Sequence, residues 1–198
     1  MSKEELQKSF DAAIAKPAIT PEDRVKAAKF IFERANAEEI ECALAGSIAM
    51  SFYDCSCLSQ DLTILASGTL GLEPASQLRF GGERYSVLVG GVSVPVDVIV
   101  RKDHLCNFYT AALNEAKATT DGLRVISPEW LVVLKFLAGS SEDRFDLLVL
   151  LSKPGLVNRE KITQLIEQVD GKLTAHLALI GLKPIYLQAD MIRAHDDN

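Results

Sequence analysis

The fold is decided by residues 84–100, which read RYSVLVGGVSVPVDVIV. Two runs rich in β-branched and apolar residues, Arg84–Val89 and Val92–Val100, stand on either side of Gly90 and Gly91. Two glycines between such runs are typical of a two-residue β-hairpin, because glycine readily adopts the positive φ angles that the tight turn needs. This stretch therefore predicts two antiparallel strands.

The residues before this hairpin predict further strands that alternate with helices. Residues 2–15 and 21–35 are helix candidates, the second with Thr20 as its N-cap and Pro21 as its first residue. Residues 40–45 and 61–65 predict two short strands, and Gly46-Ser47 with residues 48–53 predicts a helical turn or two between them. Residues 68–82 predict a loop with a helical turn near residues 73–78.

The residues after the hairpin are mainly helical in pattern. Helices are predicted over residues 107–116, 130–138, 141–151, 158–169 and 172–182, with one short strand over residues 123–126. We therefore expect an α+β (mixed α/β) protein, with a small mixed sheet flanked by helices and a helical C-terminal part. The expected division is residues 1–126 for the N-terminal helices with the sheet, and 127–198 for helices packed on that core.

Composition narrows the classes of function. The chain has 198 residues, 48% of them hydrophobic, and a formal net charge of -6. That charge argues against a protein that coats nucleic acid, because such proteins need a basic excess to neutralise phosphates. No apolar run approaches the ~18 residues of a membrane span, and the N-terminal residues do not resemble a signal peptide, so we expect a cytoplasmic protein without membrane contact.

Three polar positions stand out among the predicted strands. Gly46-Ser47 lies at a strand-to-helix junction, where glycine lets the backbone approach a ligand, although a simple turn with an N-cap gives the same pattern. Asp61 opens a strand and shares one face with Thr63, as either a site residue or a solvated edge residue. Asp97 lies among valines, so its carboxylate needs a partner or a metal if it is buried and no explanation if it is exposed.

The order of these pieces resembles the nucleotidyltransferase superfamily, which has the DNA polymerase beta-like fold. Gly46-Ser47 is followed after thirteen residues by Asp61-Leu62-Thr63 and later by Asp97 in an apolar strand, similar to the family's G-[GS], D-x-[DE] and third acid. Residues 127–147 resemble a stretch of small bacterial nucleotidyltransferase-like proteins, including abortive-infection-type toxin components. The resemblance covers about residues 38–170.

The resemblance implies metal-dependent transfer of a nucleoside monophosphate from a nucleoside triphosphate to a hydroxyl group. Asp61 and Asp97 would be the catalytic residues and would hold Mg²⁺ against the triphosphate. Thr63 stands where the family has its second acid, which leaves two carboxylates instead of three. Two carboxylates are enough for one Mg²⁺, because many magnesium sites use one or two carboxylates plus phosphates.

The same resemblance implies a nucleotide site formed by Gly46, Ser47, Thr63, Lys135 and Asp146. Lys135 lies beside the predicted buried stripe of its helix, so it can bury its stem and direct its ammonium to a cleft, or remain a surface lysine. The expected partners are a nucleoside triphosphate and an acceptor, RNA or protein, with a toxin-antitoxin-like partner as a further expectation. The alternative function is a catalytically inactive protein of this fold that binds a nucleotide or another protein.

Overall fold

The computed structural model of the protein describes residues 18–56 and 61–196. The helix predicted over residues 2–15 lies outside these residues. Within them, seven strands form one mixed sheet in the order β3-β4-β5-β2-β1-β7-β6. The strands are β1 (Cys42–Ala45), β2 (Leu62–Ala66), β3 (Ser76–Gln77), β4 (Gly82–Val89), β5 (Val92–Ile99), β6 (Lys117–Ala118) and β7 (Arg124–Val125).

The six helices of the described chain separate into two groups. They are α1 (Pro21–Ala37), α2 (Gly46–Phe52), α3 (Cys106–Asn114), α4 (Pro128–Ala138), α5 (Ser141–Ser152) and α6 (Arg159–Asp196). The first three are interspersed with the strands, and the last three follow the final strand. The prediction of an α+β protein with a mixed sheet and a helical C-terminal part is therefore confirmed.

The hairpin predicted from Gly90-Gly91 is the longest strand pair. β4 and β5 are antiparallel, and their register runs outward from Val89 opposite Val92 to Gly82 opposite Ile99. β5 then pairs in parallel with β2, and β2 pairs antiparallel with β1. The sheet thus joins the two polar strand positions, Thr63 and Asp97, as direct neighbours.

Different helices pack against the two faces of the sheet. Alternation places Leu62, Ile64, Val96 and Val98 on one face, where all four are fully buried or nearly so. α1 packs across β4, β5, β1 and β2, while α2 and α3 contact β2 and the helix α4. The Thr63 face is thus covered by α3 and α4 but leaves a cavity between sheet and helices.

Local signals explain where the helices begin and end. The hydroxyl of Thr20 accepts a hydrogen bond from the backbone N–H of Asp23, whose carboxylate accepts one from the N–H of Thr20. α4 begins at Pro128 after the cap residue Ser127 and ends at Gly139, which has a φ of 68°. The next residue, Ser140, caps α5 in the same way as Thr20 caps α1.

Three local predictions differ from the structure. Residues 73–78 form no helical turn, because Ser76 and Gln77 pair with the edge of β4 instead. β6 was not predicted, and it pairs with β7 through only two residue pairs. Residues 159–196 contain two helical segments joined at Gly171, whose φ of 83° and ψ of 174° are not helical, so the predicted break between residues 169 and 172 is present. The second segment continues past Pro184 to Asp196, beyond the predicted end at residue 182, because Ile185, Tyr186 and Ala189 are buried beyond the proline.

None of the helices described for this chain is both long and apolar enough to cross a membrane.

Candidate functional site

A row of four side chains runs across the sheet where the predicted site residues meet. Arg84 on β4 is opposite Asp97 on β5, Asp97 is beside Thr63 on β2, and Thr63 is opposite Ala45 on β1. Residues aligned in this way across adjacent strands project from the same face. Gly46 and Ser47 follow Ala45 directly, so the junction of β1 with α2 lies at the end of this row.

A cavity of about 480 Å³ opens beside this row, between the sheet and the helices α3, α4 and α5. Its volume is in the range that proteins use for small-molecule ligands. Six of the seven predicted site residues line it, namely Gly46, Ser47, Asp61, Thr63, Lys135 and Asp146. Its apolar walls come from both layers, chiefly Leu65, Ile99, Ile126, Leu131 and Leu134.

The backbone at Gly46 is held close to Thr63. Gly46 has a φ of +57°, and a Cβ added there would lie 2.9 Å from Oγ1 of Thr63. The next hydroxyl, on Ser47, donates a 2.6 Å hydrogen bond to the backbone carbonyl of Asp61. Glycine at position 46 therefore permits the close approach of β1 to β2, and Ser47 ties the beginning of α2 to the beginning of β2.

Asp97 is placed differently from the other predicted residues. Both of its carboxylate oxygens accept hydrogen bonds from Arg84, at 2.5 Å from Nε and 2.7 Å from Nη2. It does not line the cavity but a neighbouring depression that also includes Arg84 and Asp103. Phe80 lines both hollows and lies between them.

Arg84 interacts with both of the carboxylates that were predicted to hold a metal. The hydrogen bonds that Arg84 donates to Asp97, the charge of Asp97 and, more weakly, the charge of Asp61 raise the pKa of the Arg84 guanidinium. The Asp97 side chain is 14% exposed and that of Arg84 is 42% exposed, so the carboxylate is largely shielded from water while the guanidinium is partly open to it. Arg84 thus places a positive charge near both of these acids.

Asp97 is engaged by Arg84 and is not a free ligand that could join Asp61 on a magnesium ion. Both oxygens of Asp97 accept hydrogen bonds from Arg84, and Thr63 offers a neutral hydroxyl in place of a third carboxylate. Across residues 18–56 and 61–196, no group of three or more histidine, cysteine, aspartate or glutamate side chains is arranged to bind a metal. The donor set is that of an internal ion pair rather than of an oxygen cage.

Lys135 lies on the opposite wall of the cavity in a buried charge cluster. Its ammonium donates to Oδ2 of Asp146 at 2.6 Å and to Oδ1 of Asp143 at 3.2 Å. The Asp146 side chain is 3% exposed and that of Lys135 is 11% exposed. The two-residue turn at Gly139 and Ser140 produces this arrangement, because it folds the end of α4 against the first turns of α5.

Arg101 is a site residue that was not predicted. Its guanidinium lies between the rings of Phe80 and Tyr109, 5.2 Å and 4.9 Å from their centroids, and it hydrogen-bonds to Asp103. Burial raises the pKa of the Tyr109 hydroxyl. Strand alternation could have predicted Arg101 from the sequence, because residue 101 is two positions after residue 99 and four after residue 97, and therefore is expected on the same face.

The charges that line the cavity are mostly negative. Arg101 and Lys135 are the basic side chains, against the four acidic side chains of Asp61, Glu142, Asp143 and Asp146. Both basic groups already hydrogen-bond to carboxylates. The cavity therefore has the size and the apolar walls of a ligand site, but it offers little positive potential to a bare polyphosphate.

Comparison with known proteins finds likenesses among solved structures alone. No protein-family model and no curated protein matches the chain. Among solved structures, an antigenic nucleotidyltransferase-like protein from Paracoccidioides brasiliensis is similar with a TM-score of 0.47 and 15% sequence identity. The match covers 85% of this chain and 92% of that protein's chain.

Proposed function

We propose that this chain is a nucleotidyltransferase-like protein that has lost metal-dependent transfer and acts as a ligand-binding module. The observation that carries the proposal is the bidentate ion pair between Arg84 and Asp97. This ion pair engages Asp97, one of the two acids that remain in the expected triad. Thr63 stands at the position of the third acid. What remains beside it is a formed cavity of about 480 Å³ with mixed polar and apolar walls.

The ligand we propose is a nucleotide-sized molecule that enters between the sheet and α4. Its apolar or aromatic part would contact Leu65, Leu131 and Leu134, and its polar groups would meet Asp61, Thr63 and the Lys135 cluster. Because acidic side chains outnumber basic ones here, we expect nucleosides and monophosphates to bind more tightly than free triphosphates. Added Mg²⁺ is not expected to generate a catalytic complex.

Calorimetric titration of the full chain tests this binding. The four nucleosides, their monophosphates and their triphosphates would each be titrated with and without Mg²⁺. Ala138 lies at the exposed rim of the cavity, so Ala138→Trp should obstruct entry and weaken binding at least tenfold without disturbing the core. Ala37→Trp, at the exposed end of α1, is the matched control and should bind as the unmodified protein does. Equal binding by both variants would exclude this cavity as the site.

A second candidate is the transfer reaction itself, and one observation favours it. Asp97 and Thr63 are direct partners in adjacent strands, so the expected acid positions do lie next to each other on the sheet. Transfer would require Arg84 to release Asp97. The test is incubation with nucleoside triphosphates labelled at the α-phosphate, with RNA and with protein acceptors, in the presence of Mg²⁺.

The two candidates predict opposite results in that assay. If the chain is a binding module, neither the unmodified protein nor Arg84→Gln labels an acceptor. If it is an enzyme restrained by Arg84, the unmodified protein labels slowly and Arg84→Gln labels faster, because both oxygens of Asp97 become free. The double variant Arg84→Gln, Thr63→Asp then gives the largest gain, since it restores a third carboxylate.

A further inference from the structure

The C-terminal part of α6, residues 172–196, has two apolar stripes instead of one. The inner stripe packs against the rest of the protein and contains Ala175, Ala178, Leu182, Ile185 and Ala189, all of them buried. The outer stripe points to solvent and contains Leu173, Leu177, Ile180, Leu187 and Met191. Each of these outer side chains is between 53% and 73% exposed within the described chain.

The outer stripe has the spacing of a helix-pairing surface. Its positions are 4, 3, 7 and 4 residues apart, and Pro184 divides the interval of seven into four and three, so that an alternating four-three pattern runs from residue 173 to residue 191. Leu173, Ile180 and Leu187 each precede an inner residue by two positions, which is about 200° around an α-helix. The two stripes therefore lie on opposite sides of the helix, and no rotation of α6 could bury both against its own core.

The exposed apolar area is large for a monomer. With Ile192, which is 40% exposed, the outer stripe presents roughly 700 Å² of apolar surface. The largest apolar patch of a typical monomer is about 300–600 Å². A standard protein interface buries about 800 Å² on each partner, so this stripe matches what one side of a stable dimer contributes.

We propose that the outer stripe of α6 is a homodimer interface, in which two copies of this chain pack their stripes against each other. An alternating four-three pattern is self-complementary, because the side chains of one copy fit between those of an identical copy. The exposed ionisable side chains of residues 172–195 are Lys172, His176, Lys183, Asp190 and His195. They do not form a block of one sign that would repel a second copy.

The same side chains argue against a lipid surface as the partner. Helices that lie on membranes usually carry a polar face rich in lysine and arginine. The face of α6 opposite the outer stripe is buried against α4 and α5 and is apolar, so no such polar face exists on this segment.

Sedimentation velocity of the full chain over a wide concentration range tests the proposal. The unmodified protein should sediment as a species of twice the 21.6 kDa chain mass. The double variant Leu177→Lys, Leu187→Lys should weaken dimerisation by at least about a hundredfold, because four leucine contacts are lost per dimer. Leu88→Lys is the matched control, since Leu88 is 74% exposed on the β4–β5 hairpin, and it should dimerise normally.

Each other outcome overturns the proposal. A monomer at every concentration, or a dimer that persists in the double variant, would show that the stripe is not the interface. Flotation of the monomer with neutral or anionic lipid vesicles would assign the stripe to a membrane surface instead. Far-UV circular dichroism checks that the double variant is folded, and Leu177→Gln, Leu187→Gln replaces it if it is not.

Discussion

Replacing Lys135 by methionine should destabilise the protein strongly, because it leaves a buried carboxylate without its cation. Asp146 is 3% exposed and receives the 2.6 Å hydrogen bond from the Lys135 ammonium. Removing one member of such a buried pair costs about 3–5 kcal/mol. For a chain of this size that is a loss of roughly 6–20 °C in melting temperature. Methionine keeps most of the side-chain volume, so the loss would report charge rather than a cavity.

Two further variants separate the ion pair from general damage to α4. In Lys135→Met, Asp146→Leu the unpaired carboxylate is absent, so the double variant should be more stable than Lys135→Met alone. Lys29→Met, at an exposed position of α1, is the matched control and should change the free energy of unfolding by less than about 0.5 kcal/mol.

Urea unfolding at neutral pH measures the free energies of unfolding of these variants. A Lys135→Met variant as stable as Lys29→Met at neutral pH would refute the reasoning.

Two other predictions concern buried features near the sheet. Gly46→Ala should lower the free energy of unfolding by at least about 1 kcal/mol more than Gly90→Ala does. The two glycines have nearly the same φ, +57° and +56°, but only a Cβ at position 46 would contact Thr63, at 2.9 Å from its Oγ1. Equal losses in thermal unfolding would mean that Thr63 moves away freely. Burial raises the pKa of Cys42 to about 12, so a maleimide at pH 8 should label the half-buried Cys106 but not Cys42 in the folded protein. Because the thiol of the unfolded chain ionises at lower pH, the contribution of Cys42 to the free energy of unfolding should fall as the pH rises from about 9 toward 12. Peptide mass spectrometry measures the labelling, and unfolding experiments at alkaline pH measure the loss of stability. Labelling of Cys42 as fast as Cys106 would contradict the prediction.

The local pattern predicted most of the elements, because each had its own signal. Gly90-Gly91 fixed the β4–β5 turn, and Thr20 with Pro21 and Ser127 with Pro128 fixed two helix starts. The helical turn expected near residues 73–78 was wrong, because pairing with the edge of β4 outweighed a weak local preference. The continuation of α6 beyond Pro184 depends on burial of distant side chains, which a local pattern does not contain.

The site was predictable in its residues but less so in their pairings. Alternation placed Asp61, Thr63 and Leu65 together, and all three line the cavity. The cluster of Lys135 with Asp143 and Asp146 depends on how α5 returns along α4 after Gly139, which is a tertiary feature. Arg101 was missed because its partners, Phe80 and Tyr109, come from separate loops and helices.

The partner of Asp97 could have been derived from the hairpin alone. A two-residue turn at residues 90 and 91 pairs residues whose numbers sum to 181, and this places Arg84 opposite Asp97. The short turn that predicts the hairpin therefore also predicts that Arg84 faces Asp97, the expected metal ligand whose two carboxylate oxygens accept hydrogen bonds from Arg84. Lys135 is likewise paired with Asp143 and Asp146, so Asp97 and Lys135 are both held in ion pairs within the protein. Side chains paired in this way need no bound ion to compensate their charge, which is what we expect of a binding module rather than of a metal-dependent transferase.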